Sequence, residues 1–368
     1  MKRVVAVKVE FRPGMLVRDD LRDLAPYKPA VFPEAIKLDA NENPFDFPAE
    51  VKQAIWEMLG PQTFTRYPDA AAEALREELG RIHNLDREYI LAGNGSDELI
   101  LNLMLAFGAG NRVVIAVPTF SMYGIHARVA GAQAVEVPRA GGFELDVQRI
   151  VEKARDAGLV VLCSPNNPTG NSASTGQLRE VLQNCPCPVV VDQAYVEFGG
   201  TDFSPLLAEY PNLVILRTFS KAYGLAGLRV GYLFAGPEVM YYLQRVKQPF
   251  NLNSFSQTAA LAVLRYRDVF ARQVAVIVEE REAMYRAMQK MPGVTVYPSE
   301  ANYLLFTTGY PAREVFAGLL KEKVLVRSFS EPLLAEFLRV TVGRPQENKI
   351  FLHSLQKVIA NLGEKHNG

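Results

Sequence analysis

Cysteine is scarce in this chain of 368 residues: only Cys163, Cys185 and Cys187 are present. An odd, small number in so long a chain argues against a disulfide framework and for a reducing compartment. Histidine is scarce too, and His83, His126, His353 and His366 stand far apart. Cys185-Pro186-Cys187 has no second cysteine or histidine cluster beside it, so no metal site is expected. Charge of one sign is missing, since Lys+Arg 40 balances Asp+Glu 40. That speaks against nucleic acid or an acidic membrane surface as a partner. No run approaches the ~18 uninterrupted apolar residues of a membrane span. The opening Met1–Glu10 is broken by Lys2, Arg3, Lys8 and Glu10 and has neither the apolar core nor the cleavage site of a secretory signal. A cytoplasmic location is therefore expected. Internal repeats, low-complexity tracts and charged tails are also absent.

What is present is a composition of 49% hydrophobic, 10% aromatic and 22% charged residues, which fits a soluble chain with a large core and two domains. Residues 1–45 read as irregular, and such a segment must lie on something else. Helical spacing follows at Val51, Ala54, Ile55, Met58 and Leu59, and again at Leu75, Leu79 and Ile82. Short apolar strands are then expected at Tyr89–Ala92, Arg112–Val117, Ala134–Val137, Leu159–Cys163, Val189–Asp192 and Leu213–Leu216. Helices separate most of them, at Asp97–Phe107, Ser121–Val129, Val147–Arg155 and Gly176–Gln183. Near-continuous Val/Ile/Leu strands alternating with helices imply an α/β fold with a largely parallel sheet covered on both faces. Helices at Pro237–Gln248 and Phe255–Tyr266 lead to a long one, Val269–Met291, with Val274, Ile277, Val278, Arg281, Met284 and Tyr285 near one face. A smaller α+β unit is expected from Val294 onward, with strands at Asn302–Thr307, Val324–Arg327 and Phe337–Gly343 and helices at Ala312–Lys321 and Pro345–Leu362.

In such sheets ligands bind beyond the carboxyl ends of the strands, and the informative residues stand there. Gly93-Asn94-Gly95-Ser96-Asp97-Glu98 opens a helix whose free N–H groups suit a phosphate, although by itself such a turn is usually only a capped helix start. Pro118-Thr119-Phe120 offers a ring, or simply packs the next helix. Ser164-Pro165-Asn166-Asn167-Pro168-Thr169-Gly170 makes a stiff loop with amides fixed in direction. Asp192 and Tyr195 follow another strand, and an aspartate ending a buried strand needs a cationic partner. Finally, Ser220-Lys221 lies in a small-residue loop that runs to Gly227-Leu228-Arg229. A desolvated lysine near a second cation is a nucleophile toward carbonyls; alone, the pair is equally a surface feature before a buried strand. Arg327 and Arg339 lie on neighbouring strands. Each alone reads as a structural ion pair, while the two together, aimed at a cleft, would grip an anion.

Taken jointly, these groups describe a phosphorylated pyridine carrying an aldehyde. It needs a lysine for the aldehyde, a carboxylate to keep the ring nitrogen protonated as an electron sink, donors to the ring oxygen, a stacking ring and a phosphate cup. Lys221, Asp192, Tyr195 with Asn167, Phe120, and Gly95, Ser96, Ser220 and Arg229 supply them.

The chain resembles the fold-type-I pyridoxal-phosphate aminotransferases, and within them the histidinol-phosphate aminotransferase family. The residues that carry the resemblance are Leu24-Ala25-Pro26-Tyr27, Asn41-Glu42-Asn43-Pro44, Arg66-Tyr67-Pro68, the Gly93–Glu98 run, Pro118-Thr119-Phe120 with Tyr123, the Ser164–Gly170 loop, Ser220-Lys221 through Arg229, and Leu338–Gly343. Each motif is weak alone; the set spans nearly the whole chain. The resemblance implies a large domain with a mostly parallel seven-stranded sheet and a smaller α+β domain. It divides the chain into a segment 1–45 packing on the small domain and active site, a large domain 46–265 and a small domain 266–368. It implies pyridoxal 5′-phosphate as cofactor, with Lys221 as the Schiff-base lysine and proton shuttle and Asp192 at the ring nitrogen. Asn167 and Tyr195 would meet the ring oxygen, Phe120 would stack, and Gly95, Ser96, Asp97, Ser220 and Arg229 would hold the phosphate. Tyr67 would reach the site from the other subunit of a homodimer. Arg339 would take the α-carboxylate, while Tyr27, Asn43, Asn167 and Arg327 would complete the substrate site. The implied reaction is transamination between histidinol phosphate with 2-oxoglutarate and imidazole-acetol phosphate with glutamate, in histidine biosynthesis.

Two departures from the family pattern stand out. Gln193 replaces the usual glutamate after the aspartate, and Pro44-Phe45-Asp46-Phe47-Pro48 lacks the usual glycine, so the local turn is expected to differ. The competing readings are a broad aromatic amino-acid aminotransferase or a threonine-phosphate decarboxylase on the same scaffold. A non-catalytic cofactor-sensing regulator would need a DNA-binding module that the chain lacks. A nicotinamide-dependent oxidoreductase would need a G-x-G-x-x-G after a strand, which Gly108-Ala109-Gly110 does not complete.

Overall fold

The computed structural model describes residues 12–26, 32–62 and 64–367. Tyr27 lies outside them. Met1–Val31 forms a unit by itself, in which the described part holds two short 3-10 turns, Pro13–Met15 and Asp19–Leu21. The rest, Phe32–Gly368, is one compact unit.

Its strands are β1 (Ile36–Leu38), β2 (Ile90–Gly93), β3 (Arg112–Val117), β4 (Gln133–Pro138), β5 (Ala157–Cys163), β6 (Val189–Asp192), β7 (Leu213–Thr218), β8 (Gly231–Ala235), β9 (Val294–Val296), β10 (Tyr303–Thr308), β11 (Val324–Ser328) and β12 (Leu338–Thr341). A seven-stranded sheet runs β2-β8-β7-β6-β5-β3-β4. The pairings among β4, β3, β5, β6 and β7 are parallel, and β8 lies antiparallel between β7 and β2. The α/β sheet expected from the alternating pattern is therefore present. Alternate residues of the central strands feed two cores: Val114, Val160, Val191 and Ile215 face one layer of helices, and Val113, Val161, Val190 and Val214 face the other. Each such side chain contributes about 1.5–3 kcal/mol by leaving water, so burial on both faces selects the run of β-branched residues. The helix Thr175–Asn184 starts at a capping box in which Ser174 and Gln177 each bond the other's backbone.

The second sheet runs β1-β11-β12-β10-β9. Two of its features differ from expectation. The stretch read as irregular supplies β1, which pairs in parallel with β11. Val294–Val296 adds β9 beside β10, and in the large sheet β8 was not among the expected strands. The expected helix to Phe107 instead stops at Leu103 and widens into a π turn, Met104–Gly108. There Gly158 lets β5 come so close to the Phe107 carbonyl that a side chain would collide with it.

The long helix Arg267–Gln289 serves both cores, with Phe270 in the large-sheet core and Ile277, Met284 and Met288 in the small-sheet core. Among the described residues no helix is long and apolar enough to cross a membrane.

Candidate active site

The carboxyl ends of β2, β5, β6 and β7 and one face of the second sheet bring the expected residues together. Asp192, 3% exposed, ends β6. Its Oδ2 accepts from the Tyr123 hydroxyl at 2.7 Å and its Oδ1 from the Ala194 backbone N–H at 3.0 Å. Desolvation pushes this carboxyl up to about 6 against the pull of those two donors. Tyr123 is fully buried and was expected only as a ring near the site; its role as the donor to Asp192 could not be read from its spacing.

Lys221 is part-buried, and its Nζ donates to the Ala40 carbonyl at 2.9 Å. Desolvation, then the positive charges of Arg339 and Arg229, pull its pKa down to about 8, partly opposed by Glu42. The amine is thus close to losing its proton near neutral pH, as a nucleophile requires.

Tyr195 is buried by the next turn, its hydroxyl accepting from Asn41 Nδ2 at 3.0 Å and its ring standing edge-on to Tyr303 at 5.1 Å. Burial pushes its phenol up to about 12, so it stays a hydrogen-bond donor. Asn167 accepts from Arg339 Nη1 at 2.5 Å. Asn166 fixes the same loop: its amide donates to the Pro118 carbonyl at 3.0 Å and to Thr169 at 2.7 Å. Phe120 sits edge-to-face on Tyr123 at 5.5 Å.

Gly95, at φ +82, precedes the helix Ser96–Leu103. A Cβ on Gly95 would come within 2.6 Å of Arg229 Nη2, and one on Gly231 would run into the Ser96 N–H. Glycine at both positions therefore lets Arg229 and β8 approach the helix start, which sets the guanidinium and Ser220 beside its N–H groups. Arg229 itself takes a left-handed backbone (φ 53) to aim its guanidinium there, a strain that clusters at functional sites. It donates to Asp97 at 3.0 Å and to Ser220 at 3.5 Å.

On the second sheet Arg327 and Arg339 are direct partners in the β11–β12 register, so both guanidinium groups leave the same face. Arg339, 6% exposed, donates to Asn167 and to the Asp39 carbonyl, lies over the Tyr303 ring at 5.2 Å, and leaves its buried Nε without a partner. The Arg327 side chain makes no hydrogen bond or ion pair among the described residues. Two like charges side by side are unfavourable until an anion joins them.

Of the Asn41–Pro44 stretch, Asn41 reaches Tyr195, whereas Asn43 donates to the Ala222 carbonyl at 3.0 Å and to Gln273 at 3.3 Å. Asn43 thus lies against the lysine loop. Asn41 was not singled out from the sequence; two asparagines of one tetrapeptide cannot be ranked without the strand that orients them. Gln193 is fully buried beside the site, its amide donating to the Thr201 carbonyl at 2.6 Å and accepting from Arg217 at 3.1 Å. Tyr67 is 81% exposed and stacks on Phe250 at 4.5 Å, away from the groups above.

Comparison with known proteins matches residues 33–355 to the family of class I and II aminotransferases. A histidinol-phosphate aminotransferase of Thermococcus gammatolerans is 41% identical over 343 residues, 93% of this chain and 97% of that protein. Among solved structures, the histidinol-phosphate aminotransferase of Sinorhizobium meliloti in complex with pyridoxal-5′-phosphate superposes with a TM-score of 0.84 at 26% identity, covering 97% of this chain and 99% of that one. The L-threonine-O-3-phosphate decarboxylase of Porphyromonas gingivalis superposes at 0.78 with 25% identity, covering 88% and 99%. By the match over most of its length and this identity to a relative, the chain belongs to the class I and II aminotransferases, among the histidinol-phosphate aminotransferases.

Proposed function

We propose that this protein is a pyridoxal-phosphate-dependent aminotransferase that exchanges the amino group between L-histidinol phosphate with 2-oxoglutarate and imidazole-acetol phosphate with glutamate, in histidine biosynthesis. The observation that carries the substrate is the side-by-side placement of Arg327 and Arg339 on β11 and β12 with donors unspent.

The donor set fits the cofactor. Lys221 is the amine for its aldehyde, Asp192 the partner for its ring nitrogen, Asn167 and Tyr195 the groups for its ring oxygen, and Phe120 the stacking ring. The Gly95–Ser96–Asp97 helix start, Ser220 and Arg229 take its phosphate. When bound, the protonated pyridine withdraws electrons and so stabilises negative charge at the substrate α-carbon. The protein does the rest. Arg339 orients the substrate anion bidentately. Lys221 Nζ, with its pKa drawn down to about 8, removes the α-proton as a general base, and desolvation keeps it neutral often enough to act. Asp192, held by Tyr123, keeps the ring nitrogen charged.

Histidinol phosphate has no α-carboxylate, so its phosphate uses Arg339 while Arg327 shares the added charge, with Asn43 completing the substrate site. The chain works as two domains, 46–265 and 266–368. It works as a cytoplasmic homodimer; the exposed Trp56, Phe64, Tyr67 and Phe250 support an interface from which Tyr67 reaches the partner's cofactor phosphate.

The likeness to a threonine-phosphate decarboxylase favours one other reading, a decarboxylase on the same scaffold. Rates on histidinol phosphate, phenylalanine and threonine phosphate, measured side by side, separate the readings. The purified protein should absorb in the visible through bound pyridoxal phosphate, and Lys221→Ala should lose that band together with at least about 10⁴-fold in rate. A wild-type protein without the band, or without amino transfer from glutamate, sinks the proposal.

A further inference from the structure

The long helix Arg267–Gln289 carries a charge on its apolar stripe. Phe270, Ile277, Met284 and Met288 are buried along one face, and Arg281, 6% exposed, is buried among them. A buried guanidinium is unfavourable unless its N–H groups are met. Here one nitrogen meets two carbonyls from different parts of the chain: Arg281 Nη1 donates to Phe198 O at 2.9 Å and to Ala301 O at 2.9 Å. The outer edge, Nε and Nη2, bonds the Glu282 carboxylate at 3.0 and 2.9 Å.

Both carbonyls belong to segments that hold Tyr195. Phe198 closes the turn that carries it, its N–H bonding the Tyr195 carbonyl at 3.1 Å. Ala301 leads into Asn302 and Tyr303. Asn302 Nδ2 holds the Asn41 carbonyl at 3.1 Å, and Asn41 in turn donates to the Tyr195 hydroxyl. Tyr303 stands edge-on to the Tyr195 ring and donates its hydroxyl to the Asn166 carbonyl at 2.7 Å. Tyr195 is thus fixed from below by its own turn and from the side by the start of β10, and a single guanidinium nitrogen joins the two. Gly199, at φ +138, follows Phe198, and a Cβ built there stays 4.0 Å from Arg281 Nη2, so the turn folds over the guanidinium without crowding it.

We infer that Arg281 is a positioning residue for Tyr195: from the helix that serves both cores, it sets where the Tyr195 hydroxyl stands relative to the bound cofactor's ring oxygen. The inference rests on the proposed pyridoxal-phosphate function. A phenol donating to the ring oxygen withdraws electron density from the conjugated system and holds the titration midpoint of the visible band low. Without the guanidinium, two buried carbonyls lose their donor, the turn and the β10 entry separate, and the phenol no longer holds its place.

The test is a pH titration of the visible absorbance of the holoenzyme, with thermal unfolding alongside, for the wild type, Arg281→Met, Arg281→Lys and the control Met284→Ala. Met284 is buried on the same helix face but bonds neither carbonyl. Arg281→Met should raise the midpoint by roughly half a pH unit or more and loosen cofactor retention about tenfold. Arg281→Lys, which keeps donors in reach, should move it less, and Met284→Ala should lower the unfolding temperature while leaving the midpoint in place. If Arg281→Met destabilises the fold with the midpoint unchanged, or if Met284→Ala moves it as far, Arg281 is only a packing residue and the inference falls. Where Arg281→Met yields no folded protein, Arg281→Lys against Met284→Ala decides by the same criterion. A wild type with no visible band would instead remove the cofactor assignment itself.

Discussion

The two halves of the site are finished to different degrees. At the ends of β6 and β7 the polar groups already have partners within the chain: Asp192 has Tyr123 and the Ala194 N–H, Tyr195 has Asn41, and Lys221 has the Ala40 carbonyl. On β11 and β12 donors remain unspent: among the described residues the Arg327 guanidinium and the buried Arg339 Nε have no partner. A preorganised half acts on every substrate alike because its geometry precedes binding. A half left unsatisfied is completed by the ligand and so discriminates among ligands. The first should govern rate and the second substrate choice.

Breaking the finished half should have the largest effect. Asp192→Asn removes the charge that keeps the ring nitrogen protonated but leaves the shape. It should lower kcat by at least about 10³-fold for every amino donor, measured in half-reactions with glutamate and histidinol phosphate. A loss confined to one donor would erase the contrast between the halves. Arg327→Ala tests the other side at a smaller scale. It should raise KM for histidinol phosphate about 10- to 100-fold, as expected for one lost charge-assisted contact, and change glutamate by less than about threefold. Equal losses on both substrates would show that the two arginines act as one.

The halves also differ in how readily they were read from sequence. The large sheet is legible because β3, β5, β6 and β7 are unbroken runs of Val, Ile and Leu, and a two-face burial pattern leaves little else for them to be. Its strand-end chemistry follows in order, so Asp192, Asn167 and Lys221 could be named before their distances were known. β8 was missed because Gly231-Tyr232-Leu233-Phe234-Ala235 emerges directly from a glycine-rich loop and opens on a glycine. β1 was missed for a different reason: three residues, Ile36–Leu38, become a strand only because β11, far along the chain, offers an edge. Pairing at such separation leaves no local trace. Arg281 did leave one. A charge in phase with Ile277 and Met284 marks a buried side chain, but its two carbonyl partners lie on distant segments. Tyr123 gives no such hint, since an aromatic on a buried helix face reads as core.

The smallest expected effect comes from two groups that titrate in opposite senses. Asp192 has its folded pKa raised to about 6, mainly by desolvation. Against an unfolded value near ~3.9, the folded state binds the extra proton, so stability rises as pH falls from 6 toward 4. His83 packs against the rings of Tyr232 and Phe234 at 6.2 and 4.8 Å, and desolvation, then the Arg217 charge, lowers its pKa to about 4. Against an unfolded value near ~6.5, its contribution is complete above that pH and is lost as pH falls through the same interval. Each shift corresponds to about 3 kcal/mol in the folding equilibrium, and the signs oppose. In cofactor-free protein the contributions of these two groups should nearly cancel between pH 6.5 and 4. Asp192→Asn should unmask the histidine, so that urea unfolding shows a loss of about 3 kcal/mol on acidification relative to wild type. His83→Phe should unmask the aspartate, with a relative gain of similar size. If both variants instead track the wild-type slope, neither group is desolvated as its surroundings imply, and the finished half of the site is wetter than its hydrogen bonds suggest.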